Sequence, residues 1–255
     1  EIGVRLVGSE MCIRDSAGTG NRLGEYSNNK PKSLLEFNGK SLLKRHIEIL
    51  MTHNIETITI VTGFESKMII EHLDDSLIPI HYILNERYTE GSILSLECAR
   101  EILLNDSEFI LMDADVLYDI RIMSRLINTK IKNCLLLDRN FIDGEEPVKI
   151  CVNKNGNINE FGKVIPNKHE YDFQGESVGF FKFDNYIGNK LVSIIDDCIA
   201  KEENDTPYEE VIRDSVLKSP EKFGFEDISG LPWIEIDLSL IHISEPTRRT
   251  HISYA

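Results

Sequence analysis

Two aspartates follow an apolar run in the segment "EFILMDADVLY". Asp113 and Asp115 are two residues apart, and residues at that spacing in a strand point to the same side. Like charges held so close are costly unless they share a cation, so a divalent metal is the natural explanation. We predict that Asp115 is a metal ligand, that Asp113 lies beside it in a nucleotide site, and that Asp119 caps the next helix.

A second group of residues suited to chemistry lies in "AGTGNRLGEYSNNKPKSLLEFNG". Gly18 and Gly20 let backbone amides approach a polyphosphate closely. Arg22 offers a planar fork for phosphate oxygens, whereas Lys32 is a mobile point charge. The segment lacks the small residues that a dinucleotide fingerprint and a Walker loop require. It therefore predicts a polyphosphate site of another type, with an ordinary turn as the alternative.

Carboxylates recur near the end of the chain, in "GLPWIEID". Glu235 and Asp237 alternate with apolar residues, so they share one face of a strand. The metal predicted at Asp115 needs a second oxygen ligand, and Asp237 is the candidate. The alternative is that either side chain faces solvent.

The elements that must position these residues alternate between strand-like and helix-like apolar periodicity. Such a succession predicts an α/β chain with three layers and a mostly parallel sheet. Ligands in such folds lie at the carboxyl ends of the strands, where each of the motifs falls. Asn-Gly pairs predict tight turns in "EFNGKS" and "NGNINEF". The main predicted helices cover residues 41–53, 66–73, 186–200 and 208–217, and "SILSLECAREILL" is predicted as one further helix.

Composition restricts the classes of partner. The chain has 255 residues, a formal charge of −15 and a pI near 4.9, which argues against sequence-independent binding of nucleic acid. It has no apolar run of membrane-spanning length, so we expect no membrane insertion. Five cysteines without paired spacing fit a reducing compartment, and we expect a cytoplasmic protein without zinc.

Both ends of the chain read as translated sequencing adapter. "LVGSEMCIRDS" (residues 6–16) and "LSLIHISEPTR" (residues 238–248) can be encoded by opposite strands of one DNA sequence, which resembles a transposase-type library adapter. We therefore expect residues 1–16 and 238–255 to be artefacts and residues 17–237 to form one domain truncated at both ends. The alternative is a real strand and a real tail. We also expect "VRLVG" (Val4–Gly8) to fill the vacant central strand position.

The motifs together resemble a known family. In chain order they are "AGTGNRL", "NKPKSLLEFNGKSLL", "MDADVLY", "EPVKI", "GESVGFFKF", "PYEE" and "GLPWIEID". This order is similar to that of nucleotidyltransferases of the phosphocholine cytidylyltransferase type, which are relatives of the sugar-1-phosphate nucleotidylyltransferases. The resemblance covers residues 17–237 and implies a Rossmann-like, GT-A-like nucleotidyltransferase fold. The segment "NERYTEGSILSL" departs from the asparagine-rich version of choline-specific members and leaves the acceptor alcohol open.

The resemblance also implies a reaction and its residues. The phosphate of an acceptor attacks the α-phosphorus of a nucleoside triphosphate, CTP in this family, and pyrophosphate leaves with Mg²⁺ as the cofactor. Asp115 and Asp237 would hold the metal. The catalytic cations would be Arg22, Lys32 at the α-phosphate, and Lys149 near the acceptor phosphate, with a solvated strand end as the alternative for Lys149. The nucleotide would contact Ala17, Gly18, Thr19, Gly20, Asn21, Gly91, Ser92 and Asp113.

On the acceptor side the resemblance implies Glu176, Tyr208 and Glu209. An aromatic cage for a quaternary ammonium could draw on five rings, with ordinary packing as the alternative for most of them. These rings belong to Tyr82, Tyr88, Tyr118, Phe173 and Trp233.

Three other functions remain open from the sequence. A sugar-1-phosphate nucleotidylyltransferase would share the loop and the carboxylates but would need groups that bind sugar hydroxyls. A metal-dependent glycosyltransferase is supported by "DAD" but has no need of the Arg22 and Lys32 clamp. A non-catalytic nucleotide-binding module would not need all of these residues together. In each case the partners are small molecules, and the oligomeric state is open.

Overall fold

The computed structural model describes residues 10–14, 30–55, 57–144, 147–166 and 170–236. In chain order the described strands are β1 (Glu10–Arg14), β2 (Glu36–Phe37), β3 (Lys40–Ser41), β4 (Thr57–Thr62), β5 (Ile80–Leu84), β6 (Phe109–Asp113), β7 (Val116–Tyr118), β8 (Cys134–Asp138), β9 (Lys149–Val152), β10 (Ile158–Gly162), β11 (Phe173–Phe183), β12 (Gly224–Asp227) and β13 (Trp233–Glu235). The described helices are α1 (Leu42–Thr52), α2 (Ser66–His72), α3 (Ser92–Cys98), α4 (Arg100–Leu103), α5 (Ile120–Asn128), α6 (Asn185–Ala200) and α7 (Tyr208–Lys218).

The main sheet is mixed. Its strands follow the order β10-β9-β11-β6-β1-β4-β5, and β8 pairs with both β11 and β12. β6, β1, β4 and β5 run parallel to their neighbours in that group. β11 runs antiparallel to β6, β8 and β9. The predicted α/β class is confirmed. The sheet, predicted to be mostly parallel, is mixed in its described strands, and β6 stands where its parallel part meets its antiparallel part.

Helices cover both faces of the sheet, as a three-layer fold requires. Successive residues of β6 alternate between two buried clusters: Phe109 and Leu111 belong to one, and Ile110 and Met112 to the other. α3, α4, α6 and α7 contribute to the first cluster, and α1, α2 and α5 to the second. A strand buried on both faces must be apolar at every position, which explains the continuous run before Asp113.

Local signals in the sequence place most element boundaries. Ser41 caps α1, because its hydroxyl accepts a hydrogen bond from the Lys44 N–H at 3.2 Å. Asp119 caps α5 by accepting from the Arg121 N–H at 3.0 Å, as predicted. The predicted Asn-Gly turn between β2 and β3 is confirmed, since both of its residues have positive φ angles.

Two predictions of the elements were wrong. "SILSLECAREILL" forms two helices, α3 and α4, because the Ala99 N–H bonds to the Leu96 carbonyl in a tighter turn. The central strand position is filled by Glu10–Arg14 in place of Val4–Gly8, which lies outside the described residues. In the sequence, Glu10–Arg14 ends shortly before the predicted glycine-rich segment that begins at Ala17. The adapter origin of both ends stays a prediction that flanking genomic sequence would test.

No helix in the described part of the chain is both long enough and apolar enough to cross a bilayer.

A buried ion pair fixes α7 to the edge of the sheet. Glu160 on β10 is 3% exposed, and both of its oxygens accept hydrogen bonds from Arg213 on α7, at 2.7 and 2.9 Å. Such a bidentate pair has well-defined geometry, and removing one partner leaves a buried charge without compensation.

We expect Arg213→Met to lower the free energy of unfolding by about 3 kcal/mol at pH 7, measured by urea denaturation. Lys218→Met is the matched control, because Lys218 lies on the same helix in an exposed pair with Asp214 at 3.5 Å, and we expect a change below about 1 kcal/mol. Adding Glu160→Gln to Arg213→Met should recover part of the loss. Equal effects of Arg213→Met and Lys218→Met would contradict a structural role for the buried pair.

Candidate active site

The end of β6 forms the first corner of the site. Asp113 is the last residue of this strand, and Asp115 follows in the turn that leads to β7. Asp113 lines a large cavity, and its Oδ2 accepts a hydrogen bond from the Tyr208 hydroxyl at 2.7 Å. Asp115 is only 5% exposed. One turn therefore supplies two carboxylates with different surroundings.

Gly179 on β11 leaves the space that Asp113 occupies. Its φ angle is +76°, and a Cβ atom at this position would lie 2.5 Å from Oδ2 of Asp113. β11 changes register against β8 between Ser177 and Phe181, as a β-bulge does. Any side chain at position 179 would therefore push against the carboxylate.

Lys32 reaches the same corner from the other side. It begins the 3-10 turn Lys32–Leu34, which leads towards α1. Its Nζ lies 3.8 Å from Oδ2 of Asp115. The structure thus brings Lys32, predicted to be catalytic, close to Asp115, predicted to bind the metal, although the two residues are far apart in the sequence.

Glu235 joins this corner through a two-stranded ribbon. β13 pairs antiparallel with β7, and the Ile236 N–H donates to the Asp115 carbonyl at 2.8 Å. Burial, followed by the negative charges of Asp115 and Asp113, raises the pKa of Glu235 to about 7. Lys32 opposes that rise. The three carboxylates therefore repel one another appreciably.

The oxygen donors at this corner are of the kind that Mg²⁺ prefers. A divalent cation would also relieve the repulsion that raises the pKa of Glu235. Within the described ranges no group of three His, Cys, Asp or Glu side chains is arranged to hold a metal ion. Asp237, the predicted second ligand, directly follows Ile236 but lies outside the described residues, so the chemistry fits a metal while its full ligand set is not described.

A cavity of about 620 Å³ opens beside Asp113. It brings together the predicted residues Asp113, Glu176, Tyr208, Glu209 and Trp233, as well as Glu235. Its described lining is strongly acidic, with one lysine, Lys163, against the carboxylates of Asp113, Asp138, Asp143, Glu176, Glu209 and Glu235. The apolar part of the wall includes Phe141, Phe161, Phe181 and Trp233.

Glu176 lies between two charged neighbours on adjacent strands. In the register of β11, it pairs with Asp138 of β8 on one side and with Lys149 of β9 on the other. Burial and then the charge of Asp138 raise the pKa of Glu176 to about 7, while Lys149 lowers it. Glu176 is therefore a carboxyl whose charge changes near neutral pH.

Asp138 is a site residue that the sequence analysis missed. It is 7% exposed, and its Oδ2 accepts a hydrogen bond from the indole N–H of Trp233 at 2.8 Å. This contact fixes the orientation of the Trp233 ring at the cavity wall. The signal was available, because Asp138 ends the apolar run "NCLLLD" just as Asp113 ends "FILMD".

Lys149 lies behind the cavity and is not one of its lining residues. It is 7% exposed, and its Nζ donates hydrogen bonds to the carbonyls of Gly144 and Lys163, the latter at 3.0 Å. Asp143 lies 3.5 Å from the same ammonium. Lys149 therefore ties together the two segments that follow β8 and β10, and it is not a solvated strand end.

Gly91 and Ser92 lie at the start of α3, where they contact α7 and the loop before it. A Cβ atom on Gly91 would lie 2.0 Å from the carbonyl oxygen of Asn204. The Ser92 hydroxyl accepts from the Tyr208 N–H at 2.9 Å. These contacts connect the predicted nucleotide side to Tyr208, which in turn bonds Asp113.

The structure does not bring most of the predicted cage rings to the cavity. Tyr118 is 4% exposed and packs edge-on against His46 and Phe180, and burial strongly raises its pKa. Phe173 packs against Phe225. Tyr82 lies on the edge strand β5 and Tyr88 in the turn beyond it. Of the five rings, Trp233 lines the cavity.

The predicted polyphosphate loop lies outside the described residues. This applies to Ala17, Gly18, Thr19, Gly20, Asn21 and Arg22. Their assignment to the nucleotide stays a prediction.

Comparison with known proteins agrees with this geometry. Residues 16–135 match the family model described as a MobA-like NTP transferase domain. A CTP:phosphoglutamine cytidylyltransferase from Campylobacter jejuni is 24% identical over 192 residues, which cover 70% of this chain and 74% of that protein. A UTP–glucose-1-phosphate uridylyltransferase from Haloferax volcanii is 25% identical over 173 residues, covering 66% and 69%.

The fold also matches a solved structure, that of a CTP:phosphocholine cytidylyltransferase from Streptococcus pneumoniae. The match has a TM-score of 0.68 and 19% identity, and covers 90% of this chain and 94% of that one. At this identity the likeness shows the fold alone. Taken with the match over residues 16–135, the sequence relatives support a nucleotidyltransferase similar to the sugar-phosphate and cytidylyltransferase kinds.

Proposed function

We propose that the protein transfers CMP from CTP to a phosphorylated small alcohol that carries a cationic nitrogen, such as phosphocholine. The acidic cavity beside Asp113 and Asp115 is the observation that carries this proposal. A site lined by Glu176, Asp138 and the Trp233 ring favours a cation, through charge and through the ring face. The similar protein from Campylobacter jejuni is named for CTP, which supports CTP as the donor.

The reaction forms one bond and breaks one. A phosphate oxygen of the acceptor attacks the α-phosphorus of CTP in line, and the bond to the β-phosphate breaks, so pyrophosphate leaves with the electron pair. No covalent intermediate with the protein is needed. Catalysis then depends on positioning and on neutralising the charge of the phosphates.

The proposed roles are those that the resemblance of the sequence implies. Arg22 and the loop Ala17–Asn21 would hold the β- and γ-phosphates, and Lys32 would approach the α-phosphate from its place beside Asp115. Asp115 and Asp237 would hold Mg²⁺, which supplies charge neutralisation when bound. Lys149 would act on the acceptor side by holding its two neighbouring segments.

On the acceptor side, Glu176 and Glu209 would face the substrate, and Trp233 would lie against its cationic end. Tyr208 would support the site through its bond to Asp113. Gly91 and Ser92 would lie near the base.

A sugar-1-phosphate is the second candidate acceptor. The same carboxylates could accept hydrogen bonds from sugar hydroxyls, and Asn140 also lines the cavity. The similarity to the uridylyltransferase from Haloferax volcanii supports this alternative.

Release of pyrophosphate distinguishes these candidates. The four ribonucleoside triphosphates would each be tested with phosphocholine, phosphoethanolamine, glycerol 3-phosphate and glucose 1-phosphate. Turnover with CTP and the two nitrogen-containing acceptors, and not with glucose 1-phosphate, is the expected result. A preference for glucose 1-phosphate would instead support the second candidate, and transfer from a nucleotide sugar without pyrophosphate would exclude both.

We expect Asp115→Ala to lower Mg²⁺-dependent turnover at least about a hundredfold, because the reacting phosphates lose their neutralising cation. Its melting temperature should stay within a few degrees of wild type, since the change removes a carboxylate that is repelled by Glu235. Asp106→Ala, which removes an exposed aspartate before β6, is the control and should retain full activity. Near-normal turnover by Asp115→Ala would remove the metal role.

We expect the KM for phosphocholine to fall roughly tenfold between pH 6 and pH 8. The pKa of Glu176 is raised to about 7, so the carboxyl is mostly neutral at pH 6 and mostly charged at pH 8, where it attracts a cation. Steady-state kinetics would show this dependence, and Glu176→Gln should flatten it. Because the acceptor phosphate titrates in the same way for both enzymes, an identical profile in the variant would rule out Glu176 as the cause.

A further inference from the structure

His46 is a buried histidine in the middle of α1. It is 1% exposed, and burial lowers its pKa to about 4, so the ring is neutral at physiological pH. Its Nε2 lies 2.7 Å from the carbonyl oxygen of Val116. A carbonyl can only accept, so Nε2 carries the proton. Among the described residues, Nδ1 has no hydrogen-bond partner.

An imidazole at this position is costly for the fold. The neighbouring buried positions of α1 hold Leu42, Leu43, Ile47 and Leu50, so a leucine would suit the same helix face. Burying Nδ1 without a partner costs free energy that a leucine would not incur. In return, the His46 ring makes edge-on contacts with Tyr118 and Phe180, which an apolar side chain could replace, and a hydrogen bond to the Val116 carbonyl, which it could not.

That bond holds the turn that carries Asp115. The carbonyl of Asp115 accepts from the Ile236 N–H at 2.8 Å, and the carbonyl of Val116, the next residue, accepts from His46. Two successive peptide groups are thus fixed from two elements, β13 and α1. β7 has only β13 as a strand partner among the described strands, so α1 supplies the support that a second strand would otherwise give.

The segment before α1 reaches the same turn. Lys32 lies 3.8 Å from the Asp115 carboxylate, and Leu34 packs in the cluster that includes residues of α1 and Val116. The stretch of chain from Lys32 to His46 therefore makes two contacts with this turn. Lys32 lies near the carboxylate of Asp115, and His46 forms a hydrogen bond with the carbonyl of Val116. Movement of α1 would shift both contacts together.

We propose that His46 is a positioning residue, which fixes the Asp115 backbone so that its carboxylate is held in place for a divalent cation. This inference rests on the proposed metal role of Asp115. Residues that orient the direct ligands of a metal commonly contribute ten- to a hundredfold to its affinity.

Mn²⁺ binding to the whole protein, followed through the EPR signal of free Mn²⁺, tests the proposal without relying on activity. We expect His46→Leu to raise the Kd for Mn²⁺ about tenfold. His46→Gln should restore it to within about threefold of wild type, because the amide nitrogen of glutamine can donate where Nε2 does. Ile47→Val is the matched control, since it trims packing on the same helix and has no polar contact with the turn; its Kd should not change.

The outcomes separate this inference from the proposed function. If wild type binds Mn²⁺ and His46→Leu binds equally well, His46 has no positioning role, whereas the metal role of Asp115 stands. If wild type binds no Mn²⁺, both are overturned. A loss of affinity in His46→Leu that His46→Gln does not recover would show that shape, and not the hydrogen bond, matters, and would also overturn the proposal.

Discussion

Repulsion among Asp113, Asp115 and Glu235 is the constraint on which the rest of the site depends. Three carboxylates meet where β6 ends and the β7–β13 ribbon begins, and after desolvation the charges of Asp115 and Asp113 contribute to the raised pKa of Glu235. A fold does not gather such charges without external compensation. Lys32, at 3.8 Å from Asp115, and the Tyr208 hydroxyl, which donates to Asp113, supply part of the compensation. The remaining negative charge is suited to a divalent cation.

The surrounding elements fix the positions of these carboxylates but do not neutralise their charge. The bulge at Gly179 makes room for Asp113, and α7 is fastened to β10 by the buried pair of Glu160 and Arg213. Because α7 also carries Tyr208, the position of that hydroxyl depends on an ion pair at the far edge of the sheet. Preorganisation of this kind keeps a repulsive arrangement from relaxing before the substrate binds.

The sequence was enough to predict features that depend on residue type and local spacing. It was not enough to predict contacts that depend on how strands pair with one another. The α/β class, the cap at Asp119 and the carboxylates at the end of β6 all follow from periodicity and residue type. Asp138 was missed because its importance arises only when β8 and β11 place it opposite Glu176 and next to Trp233. Tyr118 was predicted as a possible cage ring, but it lies in the core against His46 and Phe180, and the partners of a strand residue on its buried face cannot be read from local sequence. Lys149 likewise gained its carbonyl partners from segments that lie apart in sequence.

Parallel and antiparallel strands meet at β6, and this boundary divides the sheet into two regions that carry different parts of the site. The parallel strands and the loop before them carry the parts assigned to the nucleotide, whereas β8, β9 and β11 carry Asp138, Lys149 and Glu176. Under the proposed function, substitutions at Asp138 or Glu176 would act on the acceptor side, whereas Gly179 of β11 has to be kept because it makes room for Asp113. Under the proposed function, related enzymes could differ in the acceptor that they use through changes on the antiparallel side of β6. The residues that act on the nucleotide could stay the same.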